Sequence, residues 1–138
     1  MQSIRPESRV FRKDNVIFEV GSNLYDEKDV EQCVKNIALV SNGLERWVLI
    51  SIPDKSKGIT PEGAETAVDL LNQALHGTCA ALLVLTTTTS AKIFAHSLEQ
   101  HGLEHKFFCS ESLMELLIKA ETILDDPTLF MDNKRITN

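Results

Sequence analysis

The sequence predicts an α/β fold in which a mixed, mostly parallel sheet is covered by helices. Two nearly continuous apolar runs, 46–52 and 79–85, have the length and composition of strands that are buried on both faces. Amphipathic stretches with helical spacing separate them, and helices between buried strands form crossovers that make the strands parallel. The predicted order is ββαβαβαβα. The 138 residues suffice for one domain with a real core, which we place at 9–124 between a flexible tail at 1–8 and a second at 125–138.

The chain opens with a predicted β-hairpin. Two short runs rich in Val and Phe, 9–14 and 16–21, suit strands, and Asp14-Asn15 between them is typical of a turn.

The first predicted helix covers 26–40. Its apolar residues recur with the spacing of one helix face, and acidic residues in its first turn complement the helix dipole. Asn42-Gly43 is expected to end it. The predicted inner face comprises Val30, Cys33, Val34, Ile37 and Ala38.

The second predicted helix follows the buried strand at 46–52 and a loop at 53–58. Thr60 is suited to cap it, Pro61 fits the first helical position, and Gly77 ends it. The predicted inner face comprises Ala64, Ala67, Val68, Leu71 and Leu75. Trp47, in the preceding strand, is predicted to lie in the core.

The third strand–helix unit repeats this pattern. A buried strand at 79–85 leads into a hydroxyl-rich turn at 86–90 and a helix that ends at Gly102. The residues predicted to face inward from this helix are Ile93, Phe94 and Leu98.

The last unit begins with a short strand at 104–109, in which Phe107 and Phe108 point to opposite faces. Ser110 is predicted to cap the final helix, and Asp125-Asp126-Pro127 to end it. The predicted inner face comprises Leu113, Leu116, Leu117, Ala120 and Leu124. Leu129, Phe130 and Met131 are expected to pack back onto the domain.

Composition and charge exclude several classes of function. Lys and Arg number 14 against 20 Asp and Glu, a net charge of −6, which argues against nucleic-acid binding. The longest apolar run is far shorter than the roughly 20 residues of a membrane helix, and the first residues do not resemble a signal peptide. Cys33, Cys79 and Cys109 are odd in number and form no CxxC pair, so we expect buried, reduced thiols in a cytoplasmic protein.

No sequence motif points to catalysis or to a cofactor. Neither GxGxxG nor GxxxxGK occurs, and Ser56 is not in a GxSxG elbow. His101 and His105 have an HxxxH spacing, but Gly102 is expected to end the helix between them, so we predict no metal site. The sequence therefore predicts a protein that is not an enzyme and needs no cofactor.

Two loops, 53–61 and 86–90, are the best candidates for a functional surface. Both follow predicted parallel strands, and ligand sites in parallel sheets lie at the carboxyl ends of the strands. Their hydroxyl and lysine side chains precede helix N-termini, which attract anions. The simpler alternative is that the hydroxyls cap helices and fill turns. The candidate residues are Asp54, Lys55, Ser56, Lys57, Thr60, Glu62, Gly63, Thr86, Thr87, Thr88, Thr89 and Ser90.

The order of elements and two stretches resemble a known family. The stretches are Trp47 to Leu71, which reads WVLISI…GAETAVDLL, and 107–117, which reads FFCSESLMELL. In these features the chain is similar to the STAS domain of bacterial anti-sigma-factor antagonists, the SpoIIAA-like family. The resemblance implies a regulatory module that binds a protein partner, an anti-sigma factor that is also a kinase.

The chain departs from the family at its phosphorylated turn. The family has an Asp-Ser-Ser-Gly-like sequence there, whereas this chain has Thr60-Pro61-Glu62-Gly63. Gly63 matches, but Pro61 or Glu62 stands in place of the phosphoacceptor, and Ser56 and Thr60 are the substitute acceptors. The chain also looks like a small branch of the family that lacks the motif, for some members of which a lipid role is suggested.

Two functions remain open from the sequence. The first is a non-enzymatic module that binds a protein partner through 54–63 and 86–90. The second is a sensor of a small apolar or anionic ligand, whose head group would be held by Lys55, Lys57 and Thr86–Thr89. A homodimer formed through an exposed apolar helix face also remains open.

Overall fold

The computed structural model describes residues 9–21, 26–53, 60–75, 77–100 and 106–130. Strands and helices alternate after an initial pair of strands, in the predicted order. The elements are β1 (Arg9–Lys13), β2 (Val16–Gly21), α1 (Glu27–Ser41), β3 (Trp47–Pro53), α2 (Pro61–Leu75), β4 (Cys79–Leu85), α3 (Thr89–Gln100), β5 (Phe107–Ser110) and α4 (Leu113–Leu124).

The strands form a five-stranded sheet in the order β1-β2-β3-β4-β5. The β1–β2 pair is antiparallel, and the other three pairs are parallel. This arrangement confirms the predicted α/β class with its mostly parallel sheet. Each strand lies beside its neighbour in the chain. Because β2, β3, β4 and β5 run in the same direction, they all end at the same edge of the sheet.

The predicted hairpin is confirmed. Phe11 pairs with Phe18 across β1 and β2, and the turn between the strands contains Asp14 with a φ of 53°. Asp tolerates this left-handed conformation better than most residues, which explains why it serves in so tight a turn.

One face of the sheet, here called the three-helix face, is covered by α1, α2 and α3. Cys33 and Ile37 of α1, Val68 of α2 and Leu98 of α3 pack there on side chains from alternating strand positions, apart from an irregularity in β4 between Cys79 and Leu82. The buried strand residues of this face are Ile17, Trp47, Leu49, Cys79, Leu82, Val84 and Phe107. Trp47 is therefore a core residue as predicted, and its indole Nε1 donates to Thr78 Oγ1 at 2.7 Å.

The opposite face, here called the one-helix face, is covered by α4 and the turn that follows it. Leu116 and Ala120 of α4, together with Leu129, pack on the sheet. Phe130 meets Phe18 edge-on, with ring centroids 6.1 Å apart. The predicted return of Leu129 and Phe130 to the domain is thus confirmed. The buried strand residues of this face are Val16, Phe18, Val48, Ile50, Ala81, Leu83 and Leu85.

The first helix begins as its acidic first turn predicts. Asp26 accepts a hydrogen bond from the Asp29 backbone N–H, and Asp29 accepts one from the Asp26 N–H, which completes a capping box. The helix ends at Ser41, and Gly43 follows with a φ of +87°, a conformation that favours glycine. Ala38, which we expected to face inward, is exposed.

The inward face of α3 differs from the prediction. Thr88 caps this helix, and its buried side is formed by Ala91, Ala95 and Leu98, spaced four and three residues apart. Ile93 lies off that stripe and is exposed, so the expectation that it faces inward is wrong. Size misled the sequence reasoning, since the side of α3 that faces the sheet carries two small residues, Ala91 and Ala95, and the larger Ile93 does not share their spacing.

The start of α4 also differs from the prediction. The cap is Ser112, whose hydroxyl accepts from the Glu115 N–H at 3.2 Å, because β5 continues through Ser110. The Ser110 hydroxyl instead donates to Glu115 Oε1 and accepts from the Ser112 N–H. Leu113, expected to face inward, is exposed.

Several other predictions concern residues outside the described part of the chain. These are the tails at 1–8 and beyond 130, Met131, and the segment 101–105 with Gly102 and two histidines. Among the cysteines, Cys33 and Cys79 are buried as predicted. Cys109 is exposed, which corrects the expectation that all three thiols are buried, because β5 is an edge strand with a partner on one side only.

Candidate functional site

The carboxyl edge of the parallel strands brings the candidate residues together in two described segments. One is Thr60–Gly63, which begins α2 after β3, and the other is 86–90, which joins β4 to α3. Because β3 and β4 are hydrogen-bonded neighbours, these segments lie at adjacent positions on the same edge. The other candidates, Asp54, Lys55, Ser56 and Lys57, lie outside the described residues.

The start of α2 is fixed by Thr60. Its hydroxyl oxygen accepts from the Gly63 N–H at 3.0 Å, and its carbonyl accepts from the Ala64 N–H at 2.8 Å. The cap that the sequence predicts is thereby confirmed. Gly63 is buried under this turn, whereas Glu62 is exposed and carries its carboxylate at the positive end of the helix.

The start of α3 repeats this arrangement one strand further along. The Thr88 hydroxyl accepts from the Ala91 N–H at 3.0 Å, and its carbonyl accepts from the Lys92 N–H at 3.1 Å. Helix α3 begins at Thr89, so Thr89 and Ser90 belong to its first turn rather than to the loop we predicted. Thr87 and Thr89 present exposed side chains.

Thr86 differs from its neighbours because it is buried. Its side chain is 7% exposed, and it is the one polar residue in the buried set of the described chain. The Thr86 N–H donates to the Ser110 carbonyl at 2.9 Å, which extends the pairing of β4 with β5 by one residue. Thr86 is thus part of the end of the sheet as well as of the loop.

Two polar residues that the sequence reasoning missed lie close to this edge. The Ser51 hydroxyl donates to Glu19 Oε1 at 2.7 Å, across the parallel pair of β2 and β3. Both residues lie on the three-helix face, two positions after the core residues Ile17 and Leu49, and both are half-buried. A polar residue late in each of two otherwise apolar strands, VIFEVG and WVLISIP, was the signal that could have found them.

Neither Cys79 nor Cys109 is an activated nucleophile. Burial raises the pKa of the Cys79 thiol to about 11, against smaller opposing contributions from the backbone of Ala81 and Leu49 and from the Lys106 charge. Partial burial also raises the pKa of Cys109, with a further contribution from the Glu99 carboxylate. Both thiols are therefore protonated at neutral pH, whereas a reactive cysteine has a lowered pKa.

Metal ligands do not converge in the part of the chain that the structure describes. No group of three or more His, Cys, Asp or Glu side chains is placed there to hold an ion. His96 is exposed on α3, and its Nε2 lies 3.2 Å from the Gln100 side-chain nitrogen. No helix in the described residues combines the length and the apolar character that crossing a bilayer requires.

Compared with models of protein families and with curated protein sequences, the chain matches none.

Proposed function

We propose that the protein is a non-enzymatic regulatory module that binds a protein partner at the carboxyl edge of its sheet. The proposed contact surface consists of the exposed side chains of Glu62, Thr87 and Thr89 and the half-buried Thr60 and Thr88, whereas Gly63 and Thr86 are buried. The resemblance to anti-sigma-factor antagonists supports a regulatory role and a partner of the anti-sigma or kinase type.

The observation that carries this proposal is the exposed side-chain surface next to two capped helix starts. At each start, a threonine hydroxyl already accepts from a first-turn N–H, Gly63 in α2 and Ala91 in α3. This leaves fewer free N–H groups to hold an anion, and the Glu62 carboxylate adds negative charge. A protein partner can instead contact the outward-facing side chains directly.

Phosphorylation of Thr60 would require its hydroxyl to leave the cap of α2. Its oxygen accepts from the Gly63 N–H, and the residue is half-buried, so a kinase would have to displace that bond. Phosphate at a helix N-terminus is electrostatically favourable once formed. We therefore keep Thr60 as a proposed acceptor, with Ser56 as the second.

The test is affinity capture from a native extract with the wild-type chain and a charge-reversed variant. Mass spectrometry would identify co-purifying proteins, and a regulator of the kinase or ATPase type is expected. Glu62→Lys should reduce capture of that partner, because charge reversal on a contact surface weakens association. The matched control is Glu31→Lys, which makes the same charge change at an exposed position of α1. Equal capture by both variants would remove Glu62 from the interface.

The second candidate function is binding of a small apolar or anionic ligand between the sheet and its helices. Thr86 favours it, because this buried residue follows Val84 of the three-helix face on the same side of β4. Organic extraction of the purified protein, followed by mass spectrometry, tests it. A stoichiometric small molecule that is lost in the isosteric Thr86→Val variant would favour this function over the first.

A further inference from the structure

Exposed apolar side chains concentrate on α4. The described chain exposes six large apolar residues, and three of them lie at the start and middle of this one helix: Leu113 is 39% exposed, Met114 64% and Ile118 54%. Single exposed apolar residues are ordinary on protein surfaces, and Leu39 of α1 and Ile93 of α3 are of that kind. A group of three on one helix is a contiguous surface and calls for a separate explanation.

These residues form one continuous patch that reaches into the core. Met114 and Ile118 are one helical turn apart, as are Leu113 and Leu117, so the two pairs form adjacent rows. Leu117 is half-buried and packs against the cluster of the one-helix face. We call Leu113, Met114, Leu117 and Ile118 the α4 patch.

The uneven covering of the sheet leaves this patch open. On the three-helix face, α1 packs against α2 and α2 against α3, so these helices shield one another as well as the sheet. On the other face, α4 packs on β3, β4 and β5, and its outer side has no helix beside it among the described residues.

The segment that carries the α4 patch is acidic, and Arg46 is a cation at its C-terminal end, where the guanidinium donates to the Ile123 carbonyl at 3.0 Å. The stretch 111–126 contains five carboxylates, at Glu111, Glu115, Glu121, Asp125 and Asp126, and one cation, Lys119, for a net charge of −4. The Lys119 ammonium lies 4.0 Å from the centre of the Phe108 ring, so it is directed toward β5. Glu111 Oε1 lies 3.6 Å from Lys92 Nζ. Both side chains are largely exposed, so this salt bridge contributes little to stability.

From this apolar patch and its acidic surroundings, we infer that α4 is a docking surface for a basic amphipathic helix of another protein. Apolar residues spaced three and four apart on that helix would cover the α4 patch. Flanking Lys and Arg side chains would meet the carboxylates, which favours both encounter and orientation. This surface is distinct from the carboxyl-edge contact proposed above and does not depend on it.

The same charges disfavour the other occupants. If a second copy packed its α4 antiparallel about Ile118, Glu115 would lie opposite Glu121 and Glu111 opposite Asp125. Like charges brought together in this way oppose association. An anionic lipid surface would be repelled for the same reason, since membrane-surface helices carry Lys and Arg on their polar face.

The experiment compares two synthetic helical peptides of roughly 18 residues, a length at which an isolated helix is marginally stable. Both carry Leu at the same amphipathic positions, and one carries Lys at the polar positions where the other carries Glu. Fluorescence anisotropy measures their binding to the full-length protein at low and moderate salt. We expect the Lys peptide to bind more tightly than the Glu peptide, and its affinity to fall as salt screens the charges.

Variants locate the binding site. Ile118→Lys should weaken binding of the Lys peptide at least about tenfold, the range of an interface hot spot. Leu39→Lys is the matched control, because Leu39 is 75% exposed on α1 and lies away from the α4 patch. It should change the affinity less than about twofold, since exposed charges beyond a Debye length are largely screened. Met114→Gln, which adds no charge, is the second variant if Ile118→Lys does not fold.

Several results would overturn the inference. Equal binding of the Lys and Glu peptides, or equal losses in Ile118→Lys and Leu39→Lys, would show that α4 has no preference for a basic helix. A dimer seen by sedimentation in the wild type and lost in Ile118→Lys would assign the surface to a second copy. Co-sedimentation with phosphatidylglycerol vesicles that is lost in the same variant would assign it to a membrane.

Discussion

The placement of α3 on the sheet can be tested with two substitutions five residues apart. Leu98 is fully buried between α3 and the three-helix face, whereas Ile93 is largely exposed on the same helix. Leu98→Ala removes three carbon atoms from the core. At about 0.8 kcal/mol per buried methylene, the transfer cost alone is about 2.4 kcal/mol. A residual cavity adds to this, and measured Leu→Ala costs reach about 5 kcal/mol.

Urea unfolding followed by circular dichroism measures this cost. With a slope of about 1–3 kcal/mol per molar urea, a loss of about 3 kcal/mol moves the midpoint by at least about 1 M. The control, Ile93→Ala, should change the free energy of unfolding by less than about 0.5 kcal/mol, as is usual for surface positions. Similar losses in the two variants, or a loss below about 1 kcal/mol in Leu98→Ala, would refute the orientation described for α3.

Four further predictions concern the α2 cap, the hydrogen bond between Ser51 and Glu19, and the thiols. Thr60→Ala should cost about 0.5–2 kcal/mol through loss of the α2 cap, and Thr60→Ser should restore most of it in thermal unfolding. Ser51→Ala should cost about 0.5–1.5 kcal/mol for the hydrogen bond to Glu19, measured in the same way, and a neutral result would show that this bond adds nothing. In the native protein at pH 8, a thiol reagent should modify exposed Cys109 and spare buried Cys79, and equal rates would contradict the burial of Cys79. Because the folded pKa of Cys79 is about 11 and its ordinary value is 9.0, the unfolded chain loses this proton first. Stability should therefore fall as pH rises from 9 toward 11, and Cys79→Ala should reduce that fall.

The elements that were predicted most accurately are those whose local chemistry also agrees with their burial. The strand at 79–85 has the predicted bounds, and the hairpin and the starts of α1 and α2 follow from Asp14-Asn15, Asp26 and Thr60. At these positions, the apolar pattern and the turn or cap residues favour the same structure. Where local and global preferences agree in this way, the elements of the fold can be predicted from the sequence.

The errors arose where small or neighbouring residues competed for one role. In α3, Ile93 is larger and more apolar than alanine, but it lies off the side of the helix that faces the sheet, which carries Ala91 and Ala95. In α4, Ser110 and Ser112 are both good capping residues, and the length of β5 decides between them. Hydrophobicity and propensity cannot settle either choice, because both depend on distances between elements.

The candidate site was only partly predictable. Thr60 and the threonines at 86–89 were found because the carboxyl ends of parallel strands meet at one edge, which is a property of the fold class. Glu19 was missed because its partner, Ser51, is 32 residues away in the sequence. The α4 patch was missed because Leu113 has the spacing of an inward-facing residue, and the sequence does not show how many helices cover each face.

The sequential strand order also determines when each face of the sheet is buried during synthesis. The ribosome delivers the chain from its N-terminus, and a domain generally folds as a unit. By the time β4 has emerged, α1 and α2 can already lie on their side of β2, β3 and β4, because they precede it in the chain. The opposite side, with Val16, Val48 and Leu83, must wait for α4, the last element described. A chain that stops before Leu113 would therefore lack the helix that covers this surface, and exposed apolar surface makes incompletely folded chains prone to aggregate.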